Sequence, residues 1–216
     1  MNVLRTALLL GSAIALSACQ PAEAPVAEAP QTPAAPVEAP APPVDPAPAA
    51  DTQLAASARA TLIPLGESGV GGELVFEVDN GGVRVTGSFT GLEPGATHAF
   101  HIHEFGNCTA ADGSSAGGHF NPAQAAHGNR EGEGEHHAGD IPNQVAGPDG
   151  VAAVDQRLDG LQLGGGGELD IIGRGVIVHA DPDDYTTQPT GNAGGRIACG
   201  VIEASTLAPV SADPAQ

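Results

Sequence analysis

The sequence is poor in aromatic residues and contains no lysine. Only 3 % of its 216 residues are aromatic and none is tryptophan, whereas 31 are glycine and 19 are proline. Such a chain cannot bury a wide aromatic core throughout, so we expect part of it to be unpacked and the rest to be rich in turns. Its 7 basic residues, all arginine, face 26 acidic residues, and the net charge is −19. This charge excludes nucleic acids as partners and electrostatic binding to an anionic membrane surface.

The N-terminus has the features of an export signal. An arginine precedes the apolar run Ala7–Leu16, which is shorter than the roughly 20 residues of a transmembrane helix. The next residues, Ser17-Ala18-Cys19, complete a segment that resembles a bacterial lipobox, in which the cysteine is lipidated and becomes the new N-terminus. We therefore predict a signal peptide at 1–18, a lipid anchor on Cys19 and localisation to the periplasm or cell envelope. Gln20 resembles a signal for sorting to the outer membrane. The alternative is an ordinary signal peptide with a chance cysteine.

A low-complexity segment follows the predicted anchor. Residues 20–50 are rich in proline, alanine and glutamate and contain no aromatic residue. Proline fixes φ and lacks a backbone donor, so we expect a disordered, extended linker over residues 19–57. The alternative is that this segment is the ligand of a proline-recognising partner in the envelope. A disordered tail is expected at residues 206–216, which are few and contain proline.

The expected folded domain, residues 58–205, has a hydrophobic pattern with a period of two. Asn80-Gly81-Gly82 is a hairpin signal between two strand-like segments, and Glu93-Pro94-Gly95 marks another turn. No segment has a convincing helical pattern. The sequence therefore predicts an all-β fold, a Greek-key β-barrel or sandwich (immunoglobulin-like) with long loops that could bind metals. The predicted strands are Glu73–Asp79, Val83–Phe89, Thr97–His103, Gly150–Asp155, Arg174–His179 and Ile197–Glu203.

Three histidines have a placement that suits metal binding. His101 and His103 alternate along one predicted strand, so both imidazoles leave the same face while Phe100 and Ile102 point into the core. His179 ends a second apolar strand. Three imidazoles from two strands make a ligand set that suits copper, which favours nitrogen donors. The H-x-H pattern of His101 and His103 by itself is weak evidence for a metal site.

Between these strands runs a long loop, His119–Asp140, which is rich in glycine and acidic residues. One interpretation is a solvated acidic loop with incidental histidines. The other is a zinc site, because three imidazoles and one carboxylate can close a tetrahedral zinc site, and zinc would order a loop with little core of its own. The candidate ligands in the loop are His119, His127, His136, His137 and Asp140.

Several short segments of the chain form an ordered set of motifs: Ala99–Gly106 (AFHIHEFG), Gly118–Pro122 (GHFNP), His127-Gly128, His137–Asp140 (HAGD), Ile171–His179 (IIGRGVIVH) and Gly191–Ile202 (GNAGGRIACGVI). They occur in the order found in copper/zinc superoxide dismutases, and the chain resembles this family over residues 58–204. The resemblance implies copper and zinc as cofactors and superoxide as the substrate. It also makes a homodimer a candidate assembly.

The resemblance implies two metal sites that share one imidazole. The copper ligands would be His101, His103, His119 and His179, and the zinc ligands would be His119, His127, His137 and Asp140. His119 would then bind one metal through each ring nitrogen. The family's H-x-x-D motif, which ends at the aspartate, selects His137, and His136 is the alternative.

Asp183 resembles an aspartate that accepts hydrogen bonds from a copper-bound and a zinc-bound imidazole. Such a carboxylate fixes the tautomer and orientation of each ring. The two imidazoles would be those of His101 and His127, and Asp184 is the alternative carboxylate.

Three further residues gain a role from the resemblance. Arg196 resembles the arginine that holds the superoxide anion beside copper, and the alternative is an ordinary surface arginine. Cys108 and Cys199 match the family's disulfide, which the cell envelope permits.

We therefore expect a superoxide dismutase whose catalytic residues are Arg196 and His119. It would convert two superoxide anions and two protons into dioxygen and hydrogen peroxide by cycling copper between Cu(II) and Cu(I), and it would protect the cell envelope. The alternative is a non-catalytic copper- and zinc-binding envelope lipoprotein for metal storage or delivery. Residues 180–195 contain no lysine or arginine, so we expect added salt to slow the enzyme less than it slows enzymes that steer their substrate with positive charge.

Overall fold

A computed structural model describes residue 55 and residues 57–205. The predicted signal peptide, the lipidated cysteine, nearly all of the linker and the tail lie outside the described residues. The first strand begins at Ser57, the last residue of the predicted linker. In the described part, no helix has the length and apolar character needed to cross a membrane.

The described chain folds into β-strands joined by long loops, with a single short 3₁₀ turn at Ser114–Ala116. The strands are β1 (Ser57–Pro64), β2 (Gly71–Asp79), β3 (Gly82–Thr90), β4 (Thr97–His98), β5 (Phe100–His103), β6 (Gln144–Val145), β7 (Ala152–Asp159), β8 (Gly175–His179), β9 (Arg196–Val201) and β10 (Glu203–Ala204). The predicted all-β class is confirmed.

The main sheet is antiparallel and has the strand order β5-β8-β9-β1-β2-β3-β7, with β10 paired to β1. The chain therefore runs from β3, near one edge, to β5 at the other edge, and then back to β7. These long crossings give the sheet its Greek-key character. The sheet curls into a half-barrel, and the small pair β4–β6 lies outside its path.

The predicted hairpin is confirmed between β2 and β3. Asp79 pairs with Gly82, and the two residues between them, Asn80 and Gly81, have φ values of 44° and 83°. Positive φ at both central positions is what a tight hairpin turn needs, and asparagine followed by glycine is the preferred pair. Gly82 is thus the first residue of β3 rather than part of the turn.

Some strand boundaries differ from those predicted. The predicted strand Thr97–His103 is interrupted at Ala99, whose amide donates to Asp181 O instead of to a neighbouring strand. The strand predicted at Gly150–Asp155 is shifted to Ala152–Asp159. β1 is not predicted from the sequence, because two of its three buried side chains are alanines and give a weak hydrophobic alternation.

The core lies inside the curled sheet and is mostly aliphatic. Its largest members are Phe76, Phe89 and Phe100, all buried, and the rings of Phe89 and Phe100 pack edge to face with centroids 5.0 Å apart. A smaller cluster surrounds the disulfide between Cys108 and Cys199, whose Cα atoms are 5.7 Å apart. This bond ties the loop after β5 to strand β9, so the sheet anchors that loop.

Candidate metal centre

The two histidines of β5 leave the sheet on the face opposite the core. Phe100 and Ile102 belong to the main hydrophobic core, whereas His101 and His103 are fully buried on the other side, as the alternation predicts. His179 is the last residue of β8, the neighbour of β5, and is also buried. A backbone hydrogen bond of 2.9 Å from His179 N to Ala99 O holds this strand end against the start of β5.

The loop after β5 brings a fourth histidine to this face. Ile102 O accepts the amide of Phe120 at 2.8 Å, and His119 forms an antiparallel bridge with His103. This pairing places His119 beside the three sheet histidines. One ring nitrogen from each lies within 4.8 Å of those of the others; we call these residues the all-histidine group: His101, His103, His119 and His179.

His119 is also part of a second cluster, which the following loop supplies. One side-chain atom from each member again lies within 4.8 Å of the others; we call these residues the mixed group: His119, His127, His137 and Asp140. The Asp140 carboxylate lies 2.8 Å from His119 Nδ1, 3.0 Å from His127 Nδ1 and 3.3 Å from His137 Nδ1. All four residues are buried.

The His119 ring lies between the two groups. Its Nδ1 faces the Asp140 carboxylate, while its buried Nε2 has no hydrogen-bond partner in the described residues. Buried polar atoms are rarely left without a partner, and an imidazole nitrogen is a good metal ligand. The ring can therefore offer one nitrogen to each group.

The donor atoms of both groups fit metal ions. In the described chain, unpaired buried nitrogens are found at His101 Nδ1, His103 Nε2, His119 Nε2 and His179 Nε2, all within the all-histidine group, and at His98 Nε2 outside both groups. Four imidazoles make a nitrogen set that suits copper. Three imidazoles and one carboxylate make a closed set that suits zinc.

Burial and charge keep His119, His179 and Asp140 in the protonation states that metals require, whereas His127 must release a proton before it can bind a metal. Burial lowers the pKa of His119 to about 4 and that of His179 to about 3, so both rings are neutral at pH 7. Burial alone would raise the pKa of Asp140, but hydrogen bonds with His119, His127 and His137 hold it well below its usual range. Burial likewise opposes the charged form of His127, yet Asp140 and Asp183 raise its pKa to about 9.

Asp183 connects the two groups. Its carboxylate accepts a hydrogen bond from His101 Nε2 and another from His127 Nε2, each 2.9 Å long. When a metal is bound, each ring would therefore carry its proton on Nε2 and present the Nδ1 lone pair to its own group. Asp184, the alternative, is exposed, and its carboxylate accepts hydrogen bonds from Thr186 and Thr187.

The position of Asp183 is fixed by residues that the sequence analysis does not single out. The Asn143 side chain donates to Asp183 O at 2.9 Å and accepts from Asp183 N at 2.8 Å. Asn143 N in turn donates to the Tyr185 hydroxyl at 2.8 Å. The Gln188 side chain makes a similar two-point contact with the backbone of His127, at 2.8 and 2.9 Å. No sequence pattern marks these contacts, because they join distant loops.

Arg196 lies at the start of β9, paired across the sheet with His179. Its guanidinium is half-buried and donates to Gly113 O and Gly117 O, each at 2.6 Å. Both carbonyls flank the 3₁₀ turn of the loop that the disulfide ties to β9. The arginine is therefore held rigidly beside the all-histidine group rather than free on the surface.

His136, the alternative to His137, does not join the mixed group. Its Nδ1 lies 2.7 Å from His137 O, so the ring bonds to the backbone of its neighbour instead of facing Asp140. The structure thus brings together every residue of the expected ligand sets and leaves out both alternatives, His136 and Asp184.

A half-barrel with an all-histidine and a mixed group sharing one imidazole defines the copper/zinc superoxide dismutases, and the chain belongs to this family. The family model "Copper/zinc superoxide dismutase (SODC)" matches residues 70–202. Copper and zinc are therefore its cofactors.

Relatives come from plants and bacteria. The chain is 44 % identical to superoxide dismutase [Cu-Zn] 3 of Arabidopsis thaliana over 151 residues, which are 67 % of this chain and 89 % of the relative. It is 42 % identical to the superoxide dismutase-like protein YojM of Bacillus subtilis over 131 residues, which are 59 % of this chain and 66 % of the relative.

Solved structures agree with this assignment. The clock protein EA4 matches with a TM-score of 0.63 and 37 % identity, over 71 % of this chain and 97 % of that one. A SOD-like protein from Bacillus subtilis matches with a TM-score of 0.60 and 39 % identity, over 66 % of this chain and 96 % of that one.

Proposed function

We propose that this chain is an active superoxide dismutase, which converts two superoxide anions and two protons into dioxygen and hydrogen peroxide. The observation that carries this proposal is the His119 ring, which faces both groups. Metal storage needs neither a shared ligand nor a fixed cation beside the metal, whereas the reaction uses both. When bound, copper supplies the electron exchange by alternating between Cu(II) and Cu(I), and zinc supplies fixed positive charge.

The residues around the all-histidine group have separate tasks in this proposal. Arg196 attracts and orients the superoxide anion, because its guanidinium is fixed by two backbone carbonyls and is always charged. His119 Nε2 is the atom placed to hold and deliver a proton, since no other described group bonds to it. Asp183 keeps His101 and His127 in the tautomer that ligation needs.

The assay of the purified, metal-loaded full chain for superoxide removal tests this function. The expected result is rapid removal that His119→Ala abolishes and that Arg196→Gln lowers by about 100- to 1,000-fold, the cost of losing one group that stabilises negative charge in a transition state. Glu93→Gln, at a turn that contributes no residue to either metal group, is the control. Full binding of both metals without superoxide removal would instead support the storage or delivery lipoprotein.

We further propose that the chain acts in the cell envelope, anchored through a lipid on Cys19. The sequence of residues 1–19 supports this, and so does a disulfide, which oxidising compartments permit. Incorporation of a clickable fatty acid into the chain in bacterial cells, and its loss in Cys19→Ala, is the expected result. Labelling that survives Cys19→Ala would contradict the anchor. Whether the enzyme forms a homodimer is a separate question that sedimentation velocity answers.

A further inference from the structure

Arg130 bridges the two ends of the loop that supplies the mixed group. It follows His127 by three residues, yet its guanidinium contacts the other end of the loop. Arg130 Nε donates to Asp140 O at 2.6 Å, and its terminal nitrogen donates to Ala138 O and lies 3.4 Å from His137 O. One side chain thus bonds to three backbone carbonyls within four residues.

These carbonyls belong to the turn that carries two members of the mixed group. Asp140 N donates to His137 O at 3.2 Å and closes the turn, while His137 N donates to the Asp140 carboxylate at 2.8 Å. At its centre, Gly139 packs so closely on the sheet that a Cβ atom would lie 2.2 Å from Ile102 O. The sheet side of the turn is thus fixed by β5, and its outer side is fixed by Arg130.

Nothing else in the described residues replaces this contact. Arg130 is the only arginine or lysine between His127 and Asp140, and it makes no salt bridge with a carboxylate in the part of the chain that the structure describes. The guanidinium binds the backbone of Asp140 and leaves its carboxylate free to face the three imidazoles. Without it, Ala138 O and Asp140 O, in a turn whose residues are largely buried, would lose their donors, whereas His137 O would keep the amide of Asp140.

We propose that Arg130 is a positioning residue for zinc: it holds the turn 137–140 in the geometry that aims His137 and Asp140 at the two other ligands before the metal binds. It does not touch the metal and acts through the backbone. The planar guanidinium suits this task because it presents several donors in fixed directions, whereas a lysine ammonium has no such fork. The inference rests on the proposed zinc ligands but not on catalysis.

The test measures metal binding by the full chain, first stripped of metal, in parent, Arg130→Gln and Arg130→Lys. Zinc affinity is measured by competition with a chromophoric chelator. Cobalt(II), which gives intense visible bands in a tetrahedral site, reports the ligand geometry. Arg84→Gln is the matched control, because Arg84 is exposed on β3 and, among the residues that the structure describes, pairs only with Asp155.

Loss of an outer group that orients metal ligands costs about 10- to 100-fold in affinity. We expect this loss in Arg130→Gln together with weaker, shifted cobalt bands, a smaller loss in Arg130→Lys, and parent values in Arg84→Gln. Zinc affinity within about twofold of the parent, the scatter expected of a surface substitution, would overturn the proposal. So would a lower affinity with unchanged cobalt bands, because the arginine would then contribute general stability only.

Two further measurements separate the possible failures. His137→Ala should abolish the tetrahedral cobalt spectrum, and if it does not, the ligand set is wrong rather than the role of Arg130. If Arg130→Gln does not fold, as judged by far-UV circular dichroism, the Arg130→Lys variant decides. Parent-like affinity and bands in a folded Arg130→Lys would then show that no directed fork is needed, and the proposal would be wrong.

Discussion

The all-histidine group and the mixed group share one ring but are built differently. Three of the four residues of the first lie on β5 and β8, adjacent strands of the main sheet. The mixed group is drawn entirely from the loop His119–Asp140, which contains no strand of the main sheet. The sheet therefore builds most of the all-histidine group from its own hydrogen bonds, whereas the mixed group depends on contacts between loops and, in the proposed zinc site, on the metal itself.

The largest expected effect comes from removing the disulfide that joins the loop after β5 to strand β9. Replacing both cysteines, Cys108→Ser with Cys199→Ser, should lower the free energy of unfolding of the metal-free chain by about 4–5 kcal/mol, from the entropy of a loop closed over 91 residues. Urea unfolding followed by circular dichroism measures this. A loss of less than about 1 kcal/mol would mean that the sheet holds the loop without the bond.

Zinc should stabilise the loop that carries the mixed group more than it stabilises the sheet. With free zinc at about 100 times its Kd, binding contributes about 2.7 kcal/mol. Loading the metal-free chain with zinc should therefore slow amide exchange in residues 119–140 by up to about 100-fold. Amides paired between β2 and β3 serve as the internal control and should change little. Equal slowing in both regions would show that the loop and the sheet open as one unit.

Replacing Asp183 should weaken metal binding by the all-histidine group and by the mixed group together. Asp183→Ala removes the acceptor of His101 Nε2 and His127 Nε2, so we expect copper and zinc affinity each to fall by about 10- to 100-fold. Asp184→Ala is the neighbouring control and should bind both metals as the parent does. Chelator competition with each metal alone measures the two losses. A loss of affinity for one metal only would show that the Asp183 carboxylate orients the imidazole of one group and not of both.

The smallest effect concerns the electric field around the all-histidine group. Arg196 is the only arginine or lysine in residues 180–196, and the chain as a whole has a net charge of −19. We expect the rate of superoxide removal to change by less than about threefold between low and physiological salt, since screening acts on attraction and repulsion together. Stopped-flow rates against ionic strength measure it, and a steep fall would show that the field attracts the substrate.

The same difference between sheet and loop explains how far the sequence could predict the structure. The side-chain alternation along β5 placed His101 and His103 correctly, because a period of two holds wherever a strand has one face in the core. The hairpin at Asn80 was also predicted correctly, because an asparagine followed by glycine favours a tight turn whatever the rest of the chain does. β1 was missed because alanines carry little hydrophobic signal.

Contacts between loops had no such local signal. Asn143 meets Asp183 across 40 residues and Gln188 meets His127 across 61. Their amide side chains are common in any polar loop, so nothing in the sequence distinguishes them from solvated residues. The contacts of Arg130 are likewise not predictable from the sequence, because they depend on how the loop folds back on itself.

Tyr185 has a consequence for how metal loading can be observed. It is the only tyrosine in a chain without tryptophan, so it is the dominant source of ultraviolet emission from the protein. Its hydroxyl accepts the Asn143 amide, and its own amide donates to the Asp183 carboxylate at 2.6 Å. Because paramagnetic Cu(II) quenches nearby fluorophores and Zn(II) does not, a loss of this emission would report the binding of copper and not that of zinc, without an added label.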